Sequence, residues 1–169
     1  MWTQRSTNIE GAIEADDLFE TSLAAADFNG DGQDDLAIGV TGQSVGTIAN
    51  AGAVNVIYSQ SGGKLNTAGD KIFDQSNVGV DDAAPGTGHA FGTSLVAGYA
   101  NNGSYADLVV EVSGQRVTNR ANAGAVYTLF GKSSSGWAEW LSQIWHQNSW
   151  RIAGGSKTGD TFSGNCHLT

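Results

Sequence analysis

Five residues of this chain occur twice in the same order: Asn50-Ala51-Gly52-Ala53-Val54 returns as Asn122-Ala123-Gly124-Ala125-Val126. The offset from 50 to 122 is 72 residues, and at that offset, without a gap, Phe19 meets Phe91, Thr21-Ser22-Leu23 meets Thr93-Ser94-Leu95, Asp35-Leu36 meets Asp107-Leu108, and Gly42-Gln43 meets Gly114-Gln115. A repeat of this length restricts the fold sharply, because a repeated supersecondary unit buries its apolar surface against its neighbours. Trp145, Gln147, Ile152 and Phe162 follow Phe73, Gln75, Val80 and Phe91 at closely similar spacing, as a third unit would begin. Trp2, Gln4, Ile9 and Phe19 read as the tail of an earlier one.

Within a unit the apolar residues alternate: Leu36, Ile38 and Val40, then Val54, Val56 and Tyr58, with Leu108, Val110 and Val112, then Val126, Thr128 and Phe130, in the second copy. Period two predicts strands with one buried face. With Thr21 to Ala26 and Lys71 to Phe73, each unit has about four short strands. The 24 glycines against a single proline supply the turns between them. This is the makeup of a four-stranded antiparallel β-propeller blade, so the expected fold is all-β, with about two complete blades and partial ends. One segment departs from the pattern. Trp137, Trp140, Leu141, Ile144 and Trp145 are spaced by three and four, which predicts a short helical turn whose tryptophans pack between elements rather than stack on a sugar.

The nine residues Asp27-Phe28-Asn29-Gly30-Asp31-Gly32-Gln33-Asp34-Asp35 join two predicted strands and place oxygen-bearing residues at positions one, three, five and nine. Calcium takes six to eight oxygen ligands, so Asp27, Asn29, Asp31 and Asp35 are expected to offer side chains and Gln33 its backbone carbonyl, with Gly32 permitting the bend and Asp34 facing water. Four carboxylates in nine residues repel one another unless a cation lies among them. The loop opens like an EF-hand, but its twelfth position is Ile38, where that motif has a glutamate, and strand-type alternation follows. A metal-free turn rich in Asp, Asn and Gly shares these preferences. In the second unit the equivalent residues are Tyr99, Asn101, Gly103, Tyr105 and Asp107, so that loop is expected to bind calcium weakly or not at all.

Phe91-Gly92 before a strand, the Asp-rich loop, Asp35-Leu36-Ala37-Ile38-Gly39 and Gly52-Ala53-Val54 together resemble the FG-GAP repeat of integrin α-subunit propellers. The phrasing Phe130-Gly131-Lys132-Ser133-Ser134-Ser135-Gly136-Trp137 is similar to bacterial surface or secreted proteins that carry many such repeats. The resemblance implies a seven-bladed propeller in the parent protein, calcium in hairpin loops on one face, an extracellular or cell-surface location, and adhesion or binding of an extracellular protein or glycan. On its terms residues 1–18 end a preceding unit, 19–90 form the first repeat with the calcium loop, 91–161 the second with a degenerate loop, and 162–169 begin a third. Two departures mark the chain as divergent: Glu20 replaces the glycine after Phe19, and Gly39-Val40-Thr41 stands where the family has Gly-Ala-Pro.

A net charge of −9, from 8 Lys and Arg against 17 Asp and Glu, disfavours nucleic acid and anionic membranes as partners. Cys166, the single cysteine, precludes an internal disulfide and reads as a small buried residue. No run approaches the ~20 apolar residues of a membrane-spanning helix, and any export signal is expected upstream or removed. His89, His146 and His167 share no zinc or catalytic spacing, and Asp81-Asp82 point to opposite faces if extended, so no enzyme is expected within the chain. An accessory propeller of a secreted hydrolase, with its catalytic residues elsewhere, is the alternative role. Two blades leave sheet faces uncovered, so the chain is expected either to associate with itself or to be completed by further blades of a longer parent.

Overall fold

The computed structural model of the protein describes residues 3–80, 84–132, 136–137 and 142–162, with 136–137 described by their backbone alone. Four strands, β1 (Phe19–Ala26), β2 (Asp35–Val40), β3 (Ala53–Gln60) and β4 (Lys64–Phe73), form an antiparallel sheet in chain order, here sheet I. Sheet II repeats it with β5 (Phe91–Gly98), β6 (Asp107–Val112), β7 (Ala125–Leu129) and β10 (Gln143–Trp145). Between β7 and β10 a short pair, β8 (Gly131–Lys132) and β9 (Gly136–Trp137), is inserted. The described elements are all strands, as the alternation predicts, and the two sheets have the form of propeller blades.

Register repeats as faithfully as sequence. Phe19 pairs with Val40 and Leu23 with Ile38, with a bulge between them, and Phe91 pairs with Val112 and Leu95 with Val110, with a bulge at the same place. A two-residue side-chain period fixes which residues face inward once this register is set. Sheet I presents small residues, Ala24, Ala26 and Ala37, toward sheet II, whose Phe91, Leu95 and Leu108 belong to the same core cluster. The rings of Phe91 and Tyr127 meet edge to face there, 5.4 Å apart. The opposite face of sheet I has a smaller cluster of Ile9, Ile38 and Ile57.

The expected helical turn is corrected by the structure. Trp137 lies in β9 opposite Gly131, and Ile144 and Trp145 lie in β10 opposite Tyr127 and Val126. The edge of β7 has N–H and C=O groups to satisfy, and an extended segment pairs with them where a helix would leave that edge bare. Trp145 takes the place in sheet II that Phe73, opposite Val54, takes in sheet I. Trp145 is 40% exposed, so it is not packed between elements as the spacing led us to expect. Trp140, Leu141, Asp81, Asp82, Cys166 and His167 lie outside the described residues. No helix among the described residues is long and apolar enough to cross a membrane.

The repeated Asn-Ala-Gly-Ala stretch fastens each unit to the next. The N–H groups of Gly88, Ala90 and Phe91 donate to the carbonyls of Ala49, Asn50 and Ala51, at 3.1, 3.2 and 2.9 Å. Gly159, Thr161 and Phe162 do the same to Ala121, Asn122 and Ala123, at 3.1, 3.3 and 2.9 Å. Gly52 has φ 83° and Gly124 φ 75°, and a Cβ on either would collide with the backbone N of Phe91 or Phe162. Glycine is needed there twice over, for the left-handed backbone and for the close approach. Gly62, with φ 97° and open space around it, makes only the first demand. Gly52→Ala is therefore expected to cost about 3 kcal/mol in urea unfolding and Gly62→Ala about 1 kcal/mol. Equal losses would show that the close approach contributes nothing.

Candidate metal centre

The Asp27–Asp35 loop connects β1 to β2 and is organised by its own side chains. The Asp27 carboxylate accepts the N–H groups of Gly30 and Asp31 on Oδ1, at 2.6 and 3.1 Å, and that of Gly32 on Oδ2, at 2.8 Å. Asn29 Oδ1 accepts the Asp31 N–H at 2.9 Å, and Asp31 Oδ1 accepts the Gln33 N–H at 2.8 Å. Each acidic or amide side chain thus closes a turn two to five residues ahead of itself, which is why Asp and Asn suit these positions even before a metal is considered. Gly32 holds φ 83°, as the expected bend requires.

Phe28 anchors the loop from beneath. It is fully buried and belongs to the core cluster that joins the two sheets. The loop also touches its counterpart in the second unit, because the Ala106 N–H donates to the Asp27 carbonyl at 3.1 Å. Asp31 and Asp34 are exposed, whereas Asp27 and Asn29 are half-buried.

Asp35 differs from the other candidates. It is 1% exposed, and its two oxygens accept the N–H groups of Phe28 at 3.1 Å and Ser59 at 2.9 Å, bracing the loop against the end of β3. Asp107, its equivalent, is also buried and accepts the N–H groups of Ala100, Asn101 and Gly131 at 2.6, 3.2 and 3.0 Å. Spacing alone marks Asp35 as a ligand. The signal for its second role was present in sequence, since Asp107 persists in a loop that has lost Asp27 and Asp31 to tyrosine and glycine.

The structure gathers Asp27, Asn29 and Asp31 around one turn of backbone and sends Asp35 into the brace. Among the described residues, no three His, Cys, Asp or Glu side chains are grouped so as to hold a metal by themselves. A cation in this loop would therefore depend on the neutral oxygens, Asn29 Oδ1 and the Gln33 carbonyl, beside Asp27 and Asp31. Such an all-oxygen donor set fits a hard ion and does not fit zinc in a structural site. The second loop has far less to offer: Asn101 Oδ1 accepts the Gly103 N–H at 2.6 Å, and Tyr99 is 64% exposed.

His89 serves local structure. His89 Nδ1 is 2.9 Å from Gln75 Oε1, and Gln75 Nε2 donates to Gln115 Oε1 at 2.5 Å and to the Tyr127 hydroxyl at 2.7 Å. Burial lowers the His89 pKa and pushes that of Tyr127 up to about 12, so both are neutral at ordinary pH. In the first unit Gln4 Nε2 donates to Gln43 Oε1 at 2.8 Å, and Asp17 stands at the position of His89.

Burial raises the Asp35 pKa from 3.8 to about 6, outweighing the N–H groups of Ser59 and Phe28, with a smaller push in the same direction from Asp31 and Asp27. A folded-state pKa above the unfolded one means that the folded chain holds the proton more tightly. Stability of the metal-free protein is thus expected to fall as pH rises from about 4 to about 6, through Asp35. Urea midpoints in a chelator across that window test this. Asp35→Asn, which keeps one acceptor and cannot ionise, should flatten the slope, and an unchanged slope would assign it to other groups.

The FG-GAP repeat family model matches residues 21–57, from β1 through the acidic loop and into β3. No curated protein matches the chain. All five candidate ligands lie within the matched span, which ends two residues before Ser59, the partner of Asp35 in the brace. The unit folded on sheet I thus carries an FG-GAP repeat match across its first three strands.

Proposed function

We propose that this chain is a calcium-binding FG-GAP propeller segment of a cell-surface or secreted protein, acting in adhesion or in binding an extracellular protein or glycan rather than in catalysis. The observation that carries the calcium reading is the oxygen-only loop, in which Asp27, Asn29 and Asp31 crowd one turn at the tip of β1 and β2. A bound calcium ion would supply positive charge to offset that of Asp27 and Asp31. The residues that would hold it are Asp27, Asn29, Asp31 and the Gln33 carbonyl, with Asp35 available if its brace opens. Because the Asp27 carbonyl also accepts the Ala106 N–H, a loop held firm in this way would steady the neighbouring unit as well. Extracellular location and a ligand on the loop-bearing side follow from the family reading. Further blades from a longer parent chain are its natural completion.

Extracellular calcium modules bind at about 0.1 to 1 mM. At about 10 mM calcium, a site of about 1 mM affinity stabilises the fold by about 1.4 kcal/mol. Calorimetric titration and thermal melting should therefore show saturable heat and a rise in Tm. Asp31→Ala should abolish both, and Asn101→Ala in the second loop should leave both in place. Asp107 is unsuited as the control, because its removal would strip several buried N–H groups of their acceptor. Absence of heat and of any Tm change in the wild type would rule the site out.

A further inference from the structure

The turn from Asp27 to Gln33 has little within it to hold it shut. Gly30, Asp31 and Gly32 are exposed, and a Cβ on Gly32 would meet nothing within 4 Å. A turn closed only by side chains that bond a few residues ahead opens readily unless something outside it fixes the closed form. Within the first unit that support is Phe28, buried beneath the loop, and Asp35, which accepts the Phe28 N–H.

The rest comes from the second unit. The Tyr105 ring lies against Gly30, where a Cβ would collide with its Cδ1 and Cε1. Beside it the Ala106 N–H donates to the Asp27 carbonyl at 3.1 Å, and a Cβ on Gly131 would lie 3.0 Å from the Phe28 carbonyl oxygen. Tyr105 is half-buried, whereas Tyr99, in the same loop, is 64% exposed. Position 105 is that of Gln33 shifted by 72 residues, so a loop short of acids of its own has gained an aromatic ring there, and that ring is placed on its neighbour's turn.

We propose that Tyr105 is a positioning residue for the loop of the first unit: its ring caps Gly30 and, with the Ala106 N–H on Asp27, keeps Asp27, Asn29 and Asp31 gathered on one turn before any cation arrives. The consequence for binding rests on the calcium reading, though the geometry does not. A loop closed beforehand loses less freedom on binding, and one that is closed only part of the time binds more weakly in proportion. The second loop thereby contributes to the affinity of the first. Two glycines separate this effect from backbone strain alone. Gly30 has φ 77° and Gly32 φ 83°, so alanine is strained at either, but only at Gly30 does it also meet Tyr105.

Hydrogen exchange of the whole chain in a chelator, read amide by amide by NMR, tests the geometry without a metal. Tyr105→Ala should speed exchange at Gly30, Asp31 and Gly32 at least about tenfold and leave the amides of β2 and β3 as in the wild type. Tyr105→Phe, which keeps the ring, should match the wild type. Gly30→Ala should speed loop exchange in the wild-type background and much less in Tyr105→Ala, whereas Gly32→Ala should have the same effect in both. Titration with calcium chloride should show Tyr105→Ala binding about tenfold more weakly and Tyr105→Phe unchanged. Loop amides that exchange in Tyr105→Ala as in the wild type, or that speed up only together with those of β2 and β3, would overturn the proposal whatever calcium does. A wild type that takes up no calcium but shows the expected exchange pattern would remove the metal and uphold Tyr105 as the residue that closes the turn.

Discussion

Six backbone hydrogen bonds, three from each unit to the one before it, organise much of what the chain does. The Asn-Ala-Gly-Ala turns accept the N–H groups that precede β5 and those that end at Phe162, and so lay the start of each unit along the turn of its predecessor. Once Phe91 is fixed this way, β5 must run beside β1, β2 and β3, and its apolar face meets the alanines of sheet I. The packing is a consequence of the clasp as much as of hydrophobicity. Asn50 and Asn122, at φ 52° and 51°, and the glycines after them supply the left-handed backbone it needs, and this accounts for five residues repeating unchanged where most of the unit has drifted.

The same economy appears at the loop end of each sheet. Asp35 and Asp107 tie their loops to the chain leaving the third-strand position of their unit, by accepting the N–H of Ser59 in β3 and of Gly131 in β8, just past β7. A buried carboxylate is costly, and the raised pKa of Asp35 records that cost. Backbone donors offset it, so the residue can be kept without a metal. This explains how the second unit retains its brace after losing the acids that surround the first. Its loop is then free to carry Tyr99 and Tyr105, and the Tyr105 ring lies where a side chain on Gly30 would have to go.

The strands were legible because alternation and a 72-residue offset reinforce each other: Leu36, Ile38 and Val40 announce β2, and Leu108, Val110 and Val112 repeat the message. The turn chemistry of Asp27, Asn29 and Asp31 was legible as spacing, since side chains that bond two to five residues ahead recur at alternate positions. The double role of Asp35 left only the persistence of Asp107 as its trace, because spacing in one loop does not reveal what lies across the sheet, and Ser59 is 24 residues away. The segment around Trp145 misled because three and four residue spacings of tryptophan fit a helix locally. The unpaired edge of β7, a tertiary demand, decided for strand. The length of β4, which begins at Lys64 rather than near Lys71, was likewise invisible in its polar sequence and follows from pairing with β3 across a bulge.

Divergence between the two units follows a physical order. Gly52 and Gly124, like Gly42 and Gly114, abut another backbone in both units and have not changed, because no side chain can be accommodated there. Positions that hold a buried polar network change only in concert. His89 with Gln75, Gln115 and Tyr127 forms one closed set, whereas in the first unit Asn55 replaces the tyrosine, and Gln4 turns its amide toward the Ala12 carbonyl as well as Gln43. That exchange is incomplete, since Asp17 Oδ1 and Asn55 Oδ1 are buried without a hydrogen-bond partner.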